Sequence, residues 1–301
     1  MSAVISEKQK YDPWEAQQEI TNVKIVLHRC RYWMLSEWEC ENLSLPFWRL
    51  YHSRTGGSSV KFADKEVEIS SEKLILIPPY TAFSSQIKGV SVPQHESIKG
   101  RIIEDEHEIT AYQKAGMCDQ FFTHFNLGYP FDKIKANIYE IELPGYWMNE
   151  LLQLEHGLIS EPNCISFITN LHISSLIIFA LRNISPEHWQ FPETDERVLK
   201  IMSYIDKNLS RELTNSELAK ESNLATNSFA RIFKGSINVP VQQYIQHKRI
   251  EKAIMLIHHS NMAIDEIAQQ CGFCDRHHFS KIFRKQTGLP PVLYRKKNVL
   301  K

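Results

Sequence analysis

Residues 218–234 read L-A-K-E-S-N-L-A-T-N-S-F-A-R-I-F-K, and residues 267–284 read I-A-Q-Q-C-G-F-C-D-R-H-H-F-S-K-I-F-R. The second stretch repeats the first. Ala219 and Ala268 lie 49 positions apart, whereas Phe229 and Phe279, Phe233 and Phe283, Lys234 and Arg284, Pro240 and Pro290, and Tyr244 and Tyr294 lie 50 apart. The offset grows by one because the second copy has one more residue in its turn. Each copy predicts a short helix, a tight turn and a second helix with a basic outer face.

The caps and apolar spacings agree with this reading. Thr214 is placed to cap the first helix of unit one, with Glu217 at the capping-box position. Phe229, Ile232 and Phe233 fall at i, i+3 and i+4, so they point inward and leave Asn227, Ala230, Arg231 and Lys234 on the open face. In unit two Asp275 fits an N-cap, Phe279, Ile282 and Phe283 point inward, and Arg276, His277, Ser280, Lys281, Arg284 and Lys285 form the outer and flanking faces. Gly288 and Asn238 sit where a helix C-terminus calls for a left-handed residue. Residues 241–257 predict one helix between the units, ~26 Å long at the usual rise. A spacer of that length suits two recognition helices about one DNA turn, ~34 Å, apart.

Charge separates the chain into halves. The formal net charge is zero, yet residues 196–301 hold 18 Lys+Arg against 9 Asp+Glu, a net of +9, and residues 1–195 carry −9. A basic half joined to an acidic half suggests a nucleic-acid-binding unit tethered to a second domain. The competing reading is a helical protein-interaction domain with solvated Lys and Arg. Duplication, charge segregation and the spacer together argue against it.

The N-terminal half reads as β-rich. Residues 1–44 are weakly patterned, and Trp33, Leu35, Trp38 and Cys40 suggest an extended or edge segment. The strand signals are W-R-L-Y-H-S from Trp48, S-V-K-F-A-D-K-E-V-E-I from Ser59 and K-L-I-L-I from Lys73, the last stopped by Pro78-Pro79. Residues 88–119 read as a long surface insertion, after which Q-F-F-T-H-F-N-L and N-I-Y-E-I-E-L resume the strands. Short strands with turn punctuation fit a small β-barrel or sandwich. From Tyr146 the period becomes helical, and the apolar helix around 165–181 carries more apolar surface than one stripe, so both barrel packing and a dimer contact are open to it. Residues 185–195 have no periodicity and read as a linker.

Other chemistries find little support. Met1–Lys10 lacks the pattern of a secretory leader, and the apolar stretch 165–181 is too polar and too short for a membrane span, so a cytoplasmic chain is expected. Cys271 and Cys274 form a lone C-x-x-C in the second turn, read as a buried small residue and a turn residue rather than a metal half-site. No H-x-H occurs, and His52 and His124 stand alone in strand-like segments, so no metal and no cofactor are expected.

Residues 196–297 resemble the DNA-binding domain of the AraC/XylS family of bacterial transcription regulators, whose signature is closely followed by I-D-E-I-A-Q-Q-C-G-F-C-D-R-H-H-F-S-K-I-F-R-K-Q-T-G-L-P-P-V-L-Y-R from Ile264. The resemblance implies base contacts from Asn227, Ala230 and Arg231, then Arg276, His277, Ser280 and Lys281, with Lys234 and Arg284 flanking. Ala225 departs from the capping Ser or Thr usual there, so the start of that helix is expected to move to Thr226, and Ala230 offers only a methyl group. W-R-L-Y-H-S, L-I-L-I-P-P-Y-T-A-F and F-F-T-H-F-N-L-G-Y-P-F-D resemble, less specifically, the family's cupin-like sensor domain.

The expected fold is therefore α+β: a cupin-like β-barrel with trailing helices over 1–184, a linker over 185–195, and an all-α domain over 196–301 with two helix-turn-helix units joined by a long helix. The expected function is an effector-responsive activator that binds double-stranded DNA, forms a homodimer and, by family resemblance, meets RNA polymerase. It is not expected to be an enzyme. Arg49, Tyr51, Tyr80 and His124 are the candidates for an effector pocket, where stacking aromatics suit a sugar or related metabolite; barrel filling is the equal alternative. A dimeric regulator without a ligand, and a cupin-type enzyme fused to a DNA-binding tail, are the competing classes.

Overall fold

A computed structural model describes residues 23–90, 97–103, 105–190 and 195–298. The leader reading at Met1–Lys10 and the linker stretch 191–194 lie outside the described residues.

The N-terminal half is a nine-stranded antiparallel sheet: β1 (Val26–Leu43), β2 (Trp48–His52), β3 (Ser58–Phe62), β4 (Lys65–Ile69), β5 (Lys73–Ile77), β6 (Phe83–Ile87), β7 (Ser97–Ile102), β8 (Cys118–Asn126) and β9 (Tyr139–Glu142). Its order is β4-β3-β6-β1-β8-β2-β5-β9, with β7 paired to β1. The strands thus form one open path ending at β4 and β9, not the closed barrel expected from the sequence.

Two expectations for this half are corrected. The weakly patterned start is no edge: β1 has 18 residues and pairs with β8, β7 and β6. Its register shifts at Leu27/Arg29, Leu35/Glu37 and Cys40/Leu43, which breaks the two-residue alternation and bends the strand. Cys30, Tyr32 and Met34 consequently enter one core and Leu35, Trp38 and Cys40 another. The supposed insertion at 88–119 contains β7 and a helix, α1 (Glu106–Lys114), capped by Asp105.

The apolar run of β5 has a simple cause. Leu74 and Leu76 face the helices, and Ile75 and Ile77 face the inside of the sheet's curl, so both faces are dry. The helical cover is α2 (Trp147–Ser160) and α3 (Phe167–Arg182), which bury Leu151, Leu154, Leu158, Ile173, Leu176, Ile177 and Ala180 on the sheet. Beneath α2, fully buried Asp119 accepts hydrogen bonds from Arg54 N at 2.7 Å, Thr55 N at 3.1 Å, and the hydroxyls of Ser53 and Tyr32, each at 3.2 Å. Arg54 continues the network to Glu155, a buried carboxylate on α2. A short turn of helix, α4 (Pro186–His188), starts the expected linker, and the Ile134–Trp189 bridge fastens it to the sheet half.

The C-terminal half is helical: α5 (Glu196–Lys207), α6 (Asn215–Glu221), α7 (Thr226–Ile237), α8 (Val241–His259), α9 (Ile264–Gln270), α10 (Arg276–Thr287) and α11 (Pro291–Asn298). The pairs α6–α7 and α9–α10 are the two repeated units. Helix α8 runs through both of their cores. Val241, Tyr244 and Ile245 pack with Phe229, Phe233 and α5, whereas Ile250, Ala253 and Ile257 pack with Phe279, Phe283 and α11.

The turns dock the units against each other. Asn223 (φ 54°) and Gly272 (φ 77°) occupy equivalent left-handed positions. A Cβ on Gly272 would stand 2.2 Å from the Leu209 carbonyl oxygen at the end of unit one's core. Arg249 of α8 bridges the same place, its Nε donating to Leu209 O at 3.1 Å and its Nη2 to Arg211 O at 2.7 Å. Beside this turn Cys271 is buried and Cys274 exposed, both free.

Two stability outcomes follow from these contacts. Asp119→Ala strands the amides of Arg54 and Thr55 and the hydroxyls of Ser53, Tyr32 and Thr55, and urea unfolding should show a loss of about 3 kcal/mol or more. Gly272→Ala adds a forbidden contact at positive φ and should cost about 2 kcal/mol in the same measurement.

Candidate nucleic-acid interface

The start of each second helix differs between the units. Asp275 caps α10, its carboxylate accepting from His278 N at 2.7 Å, and those bonds hold its carboxyl below the usual range. Ala225 is the N-cap of α7 and offers no side-chain bond. The helix begins at Thr226, the start expected from the sequence. Thr214 caps α6 as expected, accepting from Glu217 N at 3.1 Å. The Glu217 carboxylate, however, turns outward to accept from Tyr204 at 2.9 Å and Arg211 at 2.7 Å.

At their far ends Asn238 (φ 63°) and Gly288 (φ 80°) adopt the left-handed conformation, and each backbone N–H closes onto its own helix. Phe229, Phe233, Phe279 and Phe283 are buried, whereas Ile232 and Ile282 are only half-buried.

That packing fixes the outer faces. Asn227, Arg231 and Lys234 are exposed on α7, with Ala230 half-buried between them. On α10, Arg276, His277, Lys281 and Arg284 are exposed and Ser280 is half-buried. Ser280, Lys281, Arg284 and Lys285 also line a surface hollow with Gly288 and Pro290. Among the described residues Arg231, Lys234, Lys281, Arg284 and Lys285 form no ion pair. Arg276 does, reaching Asp265 of α9 at 3.1 Å, a contact that spacing along one helix does not reveal.

The four residues considered for an effector pocket lie elsewhere. Arg49 and His124 are register partners on β2 and β8, and Tyr51 is on the same face two residues along. Arg49 is fully buried; its Nη2 donates to Pro78 O at 3.1 Å and its guanidinium lies 4.5 Å from the Phe83 ring centre. Burial lowers its pKa to about 10. Tyr51 packs 5.2 Å from Trp38, inside the sheet's curl. Tyr80 is 55% exposed and donates from its hydroxyl to Glu251 of α8. His124 contacts Phe47 and His259 of α8. Arg49, Tyr80 and His124 therefore border the junction with α8, while Tyr51 fills the sheet's own core. Single-strand patterns could not show this, since the partners arrive from residues 248–259.

Residues 218–297 match the helix-turn-helix domain family. The activator RhaR of Mannheimia succiniciproducens is 28% identical over 159 residues, covering 50% of this chain and 57% of its own. The probable regulator LumQ of Photobacterium leiognathi is 32% identical over 94 residues, covering 31% of this chain and 38% of its own. The chain thus spans less than two thirds of the length of these relatives. Among solved structures, the C-terminal domain of AraT, a response regulator from Geobacillus stearothermophilus, is 27% identical and covers 36% of this chain and 91% of that one, with a TM-score of 0.35. ToxT from Vibrio cholerae covers 89% of this chain and 97% of that one at 14% identity and a TM-score of 0.48. The duplicated helical units of residues 218–297 are thus similar to the helix-turn-helix domains of AraC-type transcription regulators.

Proposed function

We propose that this chain is a sequence-specific transcription regulator that binds double-stranded DNA through α7 and α10 and responds to a small effector. One observation carries the reading: two helices with buried Phe pairs and exposed basic outer faces are held on one spacer, α8. Asn227, Arg231, Arg276, His277, Ser280 and Lys281 take the base-facing positions. Ala230 contributes a methyl contact, and Lys234 and Arg284 meet phosphate. Arg276 must first leave Asp265, or carry it along, to reach a base.

Residues 1–184 form the cupin-like sensor and dimerisation half, 185–195 the linker, and 196–301 the DNA-binding half. The curled antiparallel sheet with its two apolar cores supports the sensor reading. An activator that meets RNA polymerase in the cytoplasm follows from the family, and among the described residues no helix is long and apolar enough to cross a membrane. The effector is placed beside Arg49, Tyr80 and His124, at the sheet's contact with α8, where a bound organic molecule would act directly on the spacer; Tyr51 lies behind it. A sugar or related metabolite remains our reading of the ligand.

The dimer is assigned to the outer face of α3. Phe167, Ile168, Leu171 and Ile178 are 49–75% exposed there. Leu176 is not part of this surface, because it is 2% exposed and packs in the sheet's own core.

Arg231→Ala and Lys281→Ala should each weaken operator binding, by about 1–3 kcal/mol where a bidentate base contact is lost. Mobility-shift titrations against operator and random DNA check this, and equal weakening on both would assign the residue to phosphate. Log affinity of the full chain should fall linearly with log salt, by about 0.9 per phosphate neutralised. Ile178→Glu should give a folded monomer by light scattering and circular dichroism, whereas Leu176→Glu should unfold the sheet half.

A further inference from the structure

The sheet half and α8 meet around Phe47, and the rings that surround it are histidines. His124 lies 4.8 Å from Phe47, His259 5.1 Å, His258 5.7 Å and His28 6.4 Å, centre to centre. His28 of β1 stacks on His259 of α8 at 5.8 Å with an interplanar angle of 7°. His124 of β8 lies 5.2 Å from His259. Beside Leu45 and Phe47, the contact between the two halves therefore contains groups that are neutral or cationic according to pH.

The surroundings favour the neutral form. His28 and Arg29 face the cluster from β1, Arg49 from β2 and His124 from β8. Helix α8 brings His258 and His259, and α11 brings Tyr294, bonded to His258 at 3.3 Å. Asp132, after β8, is the carboxylate that acts on His28, which also bonds Asn126 at 2.8 Å. Asp132 already accepts from Trp48 at 2.8 Å, Asn126 at 3.0 Å and the amides of Leu127 at 2.9 Å and Gly128 at 3.0 Å. Both ring nitrogens of His259 and Nδ1 of His124 are buried without a hydrogen-bond partner. An imidazolium formed here meets two arginines and other imidazoles, with no acceptor at these three nitrogens.

We propose that this histidine cluster is a proton-sensitive latch, through which protonation of His124 and His259 releases the sheet half from α8 under mildly acidic conditions. Burial first, then the neighbouring cations, push the pKa of His124 well below its ordinary value, that of His259 to about 2 and that of His258 to about 3. Once apart, solvated histidines titrate near ~6.5. The docked state binds fewer protons, so docking is fully present above about pH 6.5 and is lost as pH falls through it. Each histidine that regains its solvated pKa changes the docked-to-open ratio about tenfold per pH unit below that point, and two change it about a hundredfold. His258 adds less, because Tyr294 keeps it within the helical half. The proposal is independent of any effector, since it needs only the contact itself.

The test uses the full chain. Small-angle scattering from about pH 8 to pH 5.5 should show the particle extending, with a slope steeper than one proton, while far-ultraviolet circular dichroism stays unchanged. The His124→Gln, His259→Gln double variant should lose that slope. Tyr80→Phe removes the hydrogen bond to Glu251, away from the histidines, and should favour opening at every pH with the slope retained. In wild-type protein the ring-proton signals of His124 and His259 should move together with the extension. A particle that stays compact to about pH 5.5, or histidines that titrate near ~6.5 without extension, would overturn the proposal. So would an undiminished slope in the double variant; if that variant is open throughout, the wild-type scattering and ring-proton titration decide.

Discussion

One helix belongs to two cores at once, and the rest of the C-terminal half depends on it. Val241, Tyr244 and Ile245 commit the first turns of α8 to unit one, and Ile250, Ala253 and Ile257 commit its later turns to unit two. Nineteen helical residues fix the separation of these anchors through backbone hydrogen bonds alone. What a helix leaves free is tilt of each unit about it, and the contact of Gly272 with Leu209 restrains that tilt. Arg249 spends its guanidinium on two carbonyls there, so a basic residue in a basic half has a structural duty and is withheld from the outer surface.

The sheet half touches this arrangement at its most consequential element. Leu45 and Phe47 enter the same core as Ile250, Ala253 and Ile257. Tyr80 reaches Glu251, which also accepts from Lys248 at 2.9 Å. The sheet half thus touches the spacer and, through the core shared with Phe279 and Phe283, the second unit as well.

How much of this was legible in the sequence depends on whether burial had one side or two. In the C-terminal half each helix buries one stripe, so Phe229, Phe233, Phe279 and Phe283 announced their positions, as did Asp275, Asn238 and Gly288. The long helix was found to within two residues of its end. In the N-terminal half β1 shifts register three times, so no single period runs its length, and it read as an extended or edge segment when it is an extended, central strand. Among the described residues strand β7 pairs with β1 alone, and it looked like part of an insertion. The helix around 165–181 left barrel packing and a dimer contact both open because α3 is apolar on two faces, and only packing tells which face the sheet takes. Of the candidate pocket residues, Arg49, Tyr80 and His124 share a neighbour, α8, that is about 200 residues away from Arg49 along the chain, and Tyr51 does not.

The two recognition helices also differ in how firmly they begin. Asp275 gives α10 a side-chain acceptor for an amide that would otherwise be open, while Ala225 gives α7 none, a difference of about 1 kcal/mol concentrated in a single turn. The first turn of α7 carries Asn227, so on the proposed DNA-binding reading one reader has its leading turn held by a side chain and the other by backbone alone. A held turn has less ordering entropy to lose on contact. Under that reading, duplication left two copies with unequal cost of engagement, set by one missing side-chain oxygen.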